Sequence, residues 1–428
     1  MGVKNDKMMI ESILVTSISS WNQTSGSDTF PSLLIDMDSS RIANIYIRDG
    51  LPTSNVASRY FGIDEMAVMK SCLFPNVQTG REVETQLPTE DLKSKENDVY
   101  HHRNRLLLWA RELGWKLGKW DSREFDEYIE SVNPEVLFFP IESYPYFNRI
   151  NEYIIQKCHP QKVIGYLWDD NFSYKQHPYS LVFKLERFFL RKQIKRLIAS
   201  CTDVLAICPK MKEECDKEFG INSILLTKPI FNIGEFVPYQ VSNPIKILYT
   251  GKLNIGRDQS AIKVVEAIKE INKDGQKIVL EIYTNTILNP KIRKRIAVEG
   301  CCIIHPPVPQ SEVKDIQLNA DVLLFLEALS DRDLTARLSF STKLTDYFAA
   351  GKCIWAVGNK DLGPISYIQS EDAGIVSTDD KSIYDGLKKL ATIPGMITEY
   401  ASKSFKCGQE NHNGKVIIKK LRNIIDAK

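Results

Sequence analysis

Two segments of the 428-residue chain bring anion-binding residue types together at meaningful spacing. The first, Tyr249-Thr-Gly-Lys-Leu-Asn-Ile-Gly-Arg-Asp258, follows an apolar run and opens a helical pattern with Ile262, Val265, Ile268 and Ile271 on one face. A strand, a glycine turn at Gly251 and a helix N-terminus aim backbone amides at one point, which suits a phosphate, and Lys252 and Arg257 supply compensating charge. The same residues also suit a plain strand-to-helix turn capped by Asp258 or Ser260. The second segment is Ser339-Phe-Ser-Thr-Lys-Leu-Thr-Asp-Tyr-Phe-Ala-Ala-Gly-Lys352. Ser341 or Thr342 would cap a helix there and Gly351 would stop it. Lys343 falls in the first turn, where a cation opposes the helix dipole and makes sense beside an anion. Asp346 shares its face at i+3 and can accept hydrogen bonds from hydroxyls near that anion. A base and an acid so arranged suit the diphosphate and ribose of a nucleotide; as a bare surface pair they would be worth about 0.3 kcal/mol.

Tyr166-Leu-Trp-Asp-Asp-Asn171 ends another apolar run. Strand C-termini in open α/β sheets face the ligand crevice, so Asp169 or Asp170 is a candidate to orient a hydroxyl or take its proton. Either would equally cap the following turn. Residues 180–201 carry Lys184, Arg187, Arg191, Lys192, Lys195 and Arg196 but only Glu186 as an acid, among Leu, Phe and Ile at helical spacing. Such a helix lies on an anionic membrane surface or packs in a core with a basic solvent face. His101 and His102 adjoin a polar stretch and read as solvent-exposed. The nine cysteines lack CxxC spacing, so neither a zinc site nor a disulfide framework is expected, and no His, Cys, Asp and Glu cluster suggests a metal. A net charge of +2, from 56 basic and 54 acidic residues, argues against a nucleic-acid partner.

These side chains need elements to hold them. Short runs rich in Val, Ile, Leu and Phe alternate with amphipathic stretches, the pattern of a parallel sheet flanked by helices. Strands are expected at Ser12–Ser17, Ile42–Ile47, Glu135–Phe139, Val163–Leu167, Asp203–Ile207 and Ser223–Leu226. A second set falls at Ile245–Tyr249, Ile278–Tyr283, Cys302–His305, Val322–Leu326, Cys353–Ala356 and Gly374–Val376. Between the sets, Phe236–Pro244 has two prolines and no helical period and reads as a linker. The expected domains are 1–236 and 244–400, with a terminal helix in 401–428 docking back across them. Residues 78–98 are polar and charge-rich, and read as a mobile loop or insertion. The polar start and the lack of a run near ~20 apolar residues point to a cytoplasmic protein, at most peripheral to the membrane.

The order of these segments resembles the family 4-like glycosyltransferases of the GT-B fold (glycosyl transferases group 1). Ser341-Thr-Lys-Leu-Thr-Asp-Tyr-Phe-Ala-Ala-Gly-Lys352 followed by Glu371-Asp-Ala-Gly-Ile-Val376 is similar to their donor signature, and Tyr249-Thr-Gly-Lys-Leu253 to their phosphate loop. His305-Pro-Pro-Val-Pro-Gln-Ser-Glu-Val313 resembles the segment before the next strand. The resemblance covers residues 160–380 well and the first 150 poorly. It implies two Rossmann-like doubly wound domains facing a cleft, the N-terminal one binding acceptor and the C-terminal one binding donor. It also implies that Lys252 and Lys343 contact the donor diphosphate, that Asp346 replaces the usual ribose-binding glutamate, and that the Val308 loop lines the nucleobase. Gly26 stands where the family commonly has two glycines, Leu338 where it often has a further glutamate, and Asp169-Asp170 near its usual His-Asp pair. The activity so implied is metal-independent, cofactor-free transfer from a nucleotide-diphosphate sugar to a saccharide or lipid-linked saccharide, with retention, in cell-surface polysaccharide or glycoconjugate synthesis. The alternative is a catalytically silent protein of the same fold that binds a sugar, a nucleotide or a partner.

Overall fold

The computed structural model describes residues 12–22, 29–48, 50–86, 105–177, 179–231, 233–332 and 334–427. The apolar runs form two sheets. The first contains β1 Ile13–Ser17, β2 Ile42–Tyr46, β3 Arg59–Ile63, β4 Gly80–Val83, β5 Val136–Pro140, β6 Lys162–Leu167, β7 Asp203–Ala206 and β8 Ile224–Leu225, in the order β4-β3-β2-β1-β5-β6-β7-β8. The second contains β9 Ile245–Thr250, β10 Ile278–Tyr283, β11 Cys302–His305, β12 Val322–Leu326, β13 Cys353–Val357 and β14 Ile375–Ser377, in the order β11-β10-β9-β12-β13-β14. Every neighbouring pair is parallel except β3 with β4. Buried central strands explain why the runs are apolar on both faces: all five residues of β1, β5, β12 and β13 are buried.

Each sheet reverses its strand order once, at β1/β5 and at β9/β12, and there the strands part. β9 pairs with β12 only through Ile247–Val322 and Leu248–Leu323, leaving its last two residues beyond the pairing. β1 pairs with β5 only over Ile13–Val15. The carboxyl ends of both sheets therefore open into crevices, the usual ligand position in such folds.

Three local expectations need correction. The edge strand β4 and its neighbour β3 were not anticipated: Gly62 interrupts β3 and β4, Gly-Arg-Glu-Val, is polar, so neither forms an apolar run. Gly80 is required in β4, because a Cβ there would meet the Phe61 ring at 2.5 Å. The polar stretch from residue 78 thus begins as a sheet edge pinned by Arg59 to Glu82 at 2.7 Å, while residues 87–104, with His101 and His102, lie outside the described residues.

The chain end is two helices, Met396–Asn411 and Gly414–Asp426, and not one over 401–428. The first packs on β13 of the second domain. The second buries Ile417, Leu421, Ile424 and Ile425 against the first domain, where Arg422 donates to the Asp36 carbonyl at 2.7 Å and Lys162 to the Ala427 carbonyl at 2.6 Å. Between them His412 is fully buried, stacked on Phe340 and Phe348. Next to it Ile230 and Asn413 form a parallel bridge, so the outgoing and returning chain segments run side by side.

Candidate active site

In the second domain the loop after β9 and the N-terminus of helix Thr342–Ala350 converge. Gly251 has φ +145, and a Cβ at this position would collide with Lys343 Nζ. Glycine here gives both the turn and the room for the lysine. Lys343 Nζ lies 4.7 Å from the centre of the Tyr249 ring and 3.4 Å from its hydroxyl. The Tyr249 hydroxyl in turn donates to the Lys252 carbonyl at 2.7 Å, which ties the loop to the helix. Burial, then the charge of Arg257, push the Lys343 ammonium down to about 8 against the opposing pull of Glu327.

The two helices facing this point begin without a side-chain cap. Helix Arg257–Ile271 starts after Gly256, so neither Asp258 nor Ser260 is its cap; the Ser260 hydroxyl donates to the Gly256 carbonyl at 3.4 Å and accepts from Leu329 N at 3.2 Å. Ser341, not Thr342, occupies the cap position of helix Thr342–Ala350, but its hydroxyl bonds no amide of that turn. Gly351 ends this helix in the left-handed conformation, as expected. Uncapped first-turn amides beside a cation form an anion-binding arrangement.

Arg257 is placed differently from Lys343. Its guanidinium grips Glu327, Nε to Oε2 at 2.9 Å and Nη2 to Oε1 at 2.8 Å, both side chains being largely buried. Glu327 follows β12 directly, and sequence reasoning missed it. Its one signal was its position at a strand end next to the sheet reversal. Asp346 lies one turn beyond Lys343 and is exposed. Val308 is half-buried on the loop after β11, beyond the stacked pair Tyr283 and His305, whose ring centres lie 4.4 Å apart.

In the first domain a cavity of about 400 Å³ opens at the carboxyl ends of β1, β2, β5, β6 and β7. Asp169 and Glu142 line it together with Arg48, Tyr144, Trp168 and Trp21. Glu142 was also missed by sequence reasoning, although it stands two residues past a buried strand. Burial, then the neighbouring Asp169 carboxylate, push it up to about 8, partly offset by a hydrogen bond donated from Trp168 Nε1 at 3.0 Å. A carboxyl held toward its protonated form thus stands beside the exposed Asp169 carboxyl in one cavity. Gly26 lies outside the described residues.

Asp169 and Asp170, indistinguishable in sequence, separate here. Asp170 is buried, accepts from Ser173 N at 2.9 Å as a turn cap, and pairs with the fully buried Arg337 of the second domain at 3.1 Å. Arg337 also binds Glu214. The next residues continue this clasp between domains: the Leu338 carbonyl accepts from Cys208, the Ser339 hydroxyl donates to Asp169, and Phe340 lines the first-domain cavity. Leu338 itself is fully buried, so it packs between domains rather than facing the cleft. One segment, 337–343, thus runs from the first-domain cavity to the lysine of the second.

Two doubly wound domains, each opening its strand ends toward a shared cleft, define the GT-B glycosyltransferase fold. Solved structures of that fold match this chain over 71–98% of its length. HepE of Anabaena, solved with UDP and glucose, superposes with a TM-score of 0.61 at 9% identity over 98% of this chain and 100% of that one. Sucrose-phosphate synthase from Thermosynechococcus elongatus gives 0.62 at 11% identity, covering 97% and 98%. TarM gives 0.53 at 13% identity over 71% of this chain, which spans only 57% of TarM. No protein-family model and no curated protein sequence matches the chain.

Proposed function

We propose that the protein is a glycosyltransferase that moves a sugar from a nucleotide-diphosphate donor to a hydroxyl of a saccharide or lipid-linked saccharide acceptor. The observation that carries this reading is the convergence of Lys343, the Gly251 loop and two uncapped helix N-termini at the strand ends of one domain, facing a carboxyl-bearing cavity in the other. The donor diphosphate sits against Lys343, Lys252 and the first-turn amides of Ser341-Thr342-Lys343. Charge grows on the departing phosphate as the glycosidic bond breaks, so these groups act most strongly in the transition state. Arg257 is held by Glu327 and supports the site's field and shape. Asp346 takes the ribose hydroxyls and the Val308 loop borders the base.

On the acceptor side Asp169 orients the attacking hydroxyl and Glu142 holds or yields a proton near neutral pH. Asp170 is a positioning residue that seats the clasp. The chemistry needs neither a metal nor a resident cofactor, and the resemblance carries retention at the anomeric carbon, which NMR of the product reads directly. The HepE complexes with UDP and glucose support a uridine donor as the first to test.

Calorimetry with UDP, GDP and CMP, followed by a donor-sugar screen by mass spectrometry, tests the reading. Lys343→Ala should weaken nucleotide binding by about tenfold or more, the value of a charge-assisted contact. Glu142→Gln should leave that affinity in place and slow transfer. Nucleotide affinity untouched by Lys343→Ala would mean that the donor site is elsewhere. Binding without transfer or donor hydrolysis would instead describe the silent alternative.

A further inference from the structure

Twelve of the 24 exposed large apolar side chains among the described residues fall in just two stretches, 106–117 and 179–189. The two helices concerned, Arg105–Leu117 and Leu181–Ala199, are joined at their N-terminal ends. Arg105 donates to Ser180 Oγ at 3.1 Å and Trp109 Nε1 to Glu186 Oε1 at 2.6 Å. On the second helix Phe183, Leu190, Ile194 and Leu197 are buried, as an amphipathic helix requires, but a separate stripe of Leu181, Leu185, Phe188 and Phe189 points to solvent. On the first helix Leu106, Trp109, Leu113 and Leu117 form the matching stripe. Two exposed apolar stripes on helices tied together in this way mark an interaction surface.

We propose that this two-helix face docks on an anionic lipid bilayer. The residues bordering it decide between lipid and protein. Lys116, Lys184, Lys192 and Lys195 are exposed along the same two helices, and the apolar half of the second stripe passes directly into the basic half. Protein interfaces are depleted in lysine, whereas helices that lie in a membrane surface combine Leu, Phe and Trp with flanking lysines. Among the described residues no helix is long and apolar enough to cross a membrane, so the face would rest in the headgroup layer.

The face is also coupled to the first-domain cavity. Arg111, on the same helix as Trp109 and Leu113, lies over the ring of Tyr144 at 5.7 Å, and Tyr144 lines that cavity. A lipid-linked acceptor held in the bilayer would then meet the cavity from its own surface, a consequence that rests on the proposed transfer. Docking itself does not.

Flotation with phosphatidylcholine vesicles, with and without phosphatidylglycerol, tests the proposal on the full chain. The wild type should float with the anionic vesicles and lose binding in high salt. Lys192→Glu/Lys195→Glu should reduce flotation by about tenfold or more, and Leu113→Glu/Phe189→Glu should abolish it. These positions are exposed, and unchanged UDP affinity by calorimetry verifies that each variant is folded. A wild type that binds UDP but stays in the dense fraction overturns the docking face and leaves the donor site standing. Flotation that persists in both double variants places the membrane contact elsewhere and overturns it too. A dimer in sedimentation that Leu113→Glu/Phe189→Glu dissociates, without vesicle binding, assigns the face to a second copy and overturns it as well.

Discussion

Lys343 shows how a single residue can set function against stability. The fold holds its ammonium partly out of water and near Arg257, so the charged form is less favoured than in a solvated lysine and the value falls to about 8. A diphosphate reverses that preference. Donor affinity should therefore be full below about pH 8 and decline as the pH rises past it, while Lys343→Arg, charged throughout, should give a flat profile by calorimetry. The unliganded protein responds in the opposite sense. A depressed lysine binds protons more readily when unfolded, so stability rises as pH increases from about 8 toward the ordinary lysine value near ~10.4. Lys343→Met should accordingly stabilise the unliganded protein at neutral pH by on the order of 1 kcal/mol given its half-buried setting, read as a higher melting temperature, while weakening donor binding as Lys343→Ala does. A destabilised methionine variant would show that the lysine serves the fold rather than a ligand.

At the scale of elements, the loop after β9 carries three left-handed residues in six positions, Gly251, Ile255 and Gly256. Glycine adopts that conformation freely, but Ile255 at φ +55 is β-branched and strained by about 1–2 kcal/mol. Ile255→Gly or Ile255→Asn should therefore stabilise the protein by about 1 kcal/mol in urea unfolding, and an unchanged midpoint would mean that the side chain compensates through contacts. Such strain was invisible in the sequence, where Asn-Ile-Gly reads as an ordinary turn. The twelve strands expected from apolar runs are all present within a residue or two, because a strand buried on both faces has little freedom of composition. The edge strand β4 escaped for the opposite reason, since its Arg81 and Glu82 face solvent, and β3 escaped because Arg59 and Gly62 break up its short apolar run. The same limit applies to the site. Lys343 and Gly251 were legible because a cation at a helix start and a glycine at a strand end are locally anomalous. Glu142 and Glu327 were not, since a carboxylate after a strand becomes notable only when the fold buries it beside other charges. Nor could adjacent Asp169 and Asp170 be told apart before Arg337, 167 residues away, was seen to claim one of them.

For the whole molecule, the return crossing at His412 is a point where pH meets domain packing. Its Nδ1 lies 3.1 Å from the Lys228 carbonyl, so that nitrogen carries the proton and Nε2 accepts from the Tyr367 hydroxyl at 3.0 Å. Burial pushes the ring down to about 4. The unfolded chain therefore takes up a proton below its ordinary value near ~6.5, while the folded one resists until about 4, and the ring's contribution to stability is lost across that window as pH falls. Melting temperatures should drop more steeply between those two values in the wild type than in His412→Asn, which carries no titrating group. Parallel slopes would show that carboxylates elsewhere dominate acid unfolding.

The bridge between Ile230 and Asn413 beside this histidine has a topological meaning of its own. Measured along the chain those residues are far apart, yet in space they are hydrogen-bonded neighbours, with Gly414 N donating to the Ile230 carbonyl at 3.0 Å. The second domain is thus an insert, spliced into an otherwise continuous first domain whose final helix is supplied only after the detour. A short turn across the bridge would close the host domain upon itself. Cutting the chain at the apparent boundary near residue 236 would instead leave the host without the helix that covers its core.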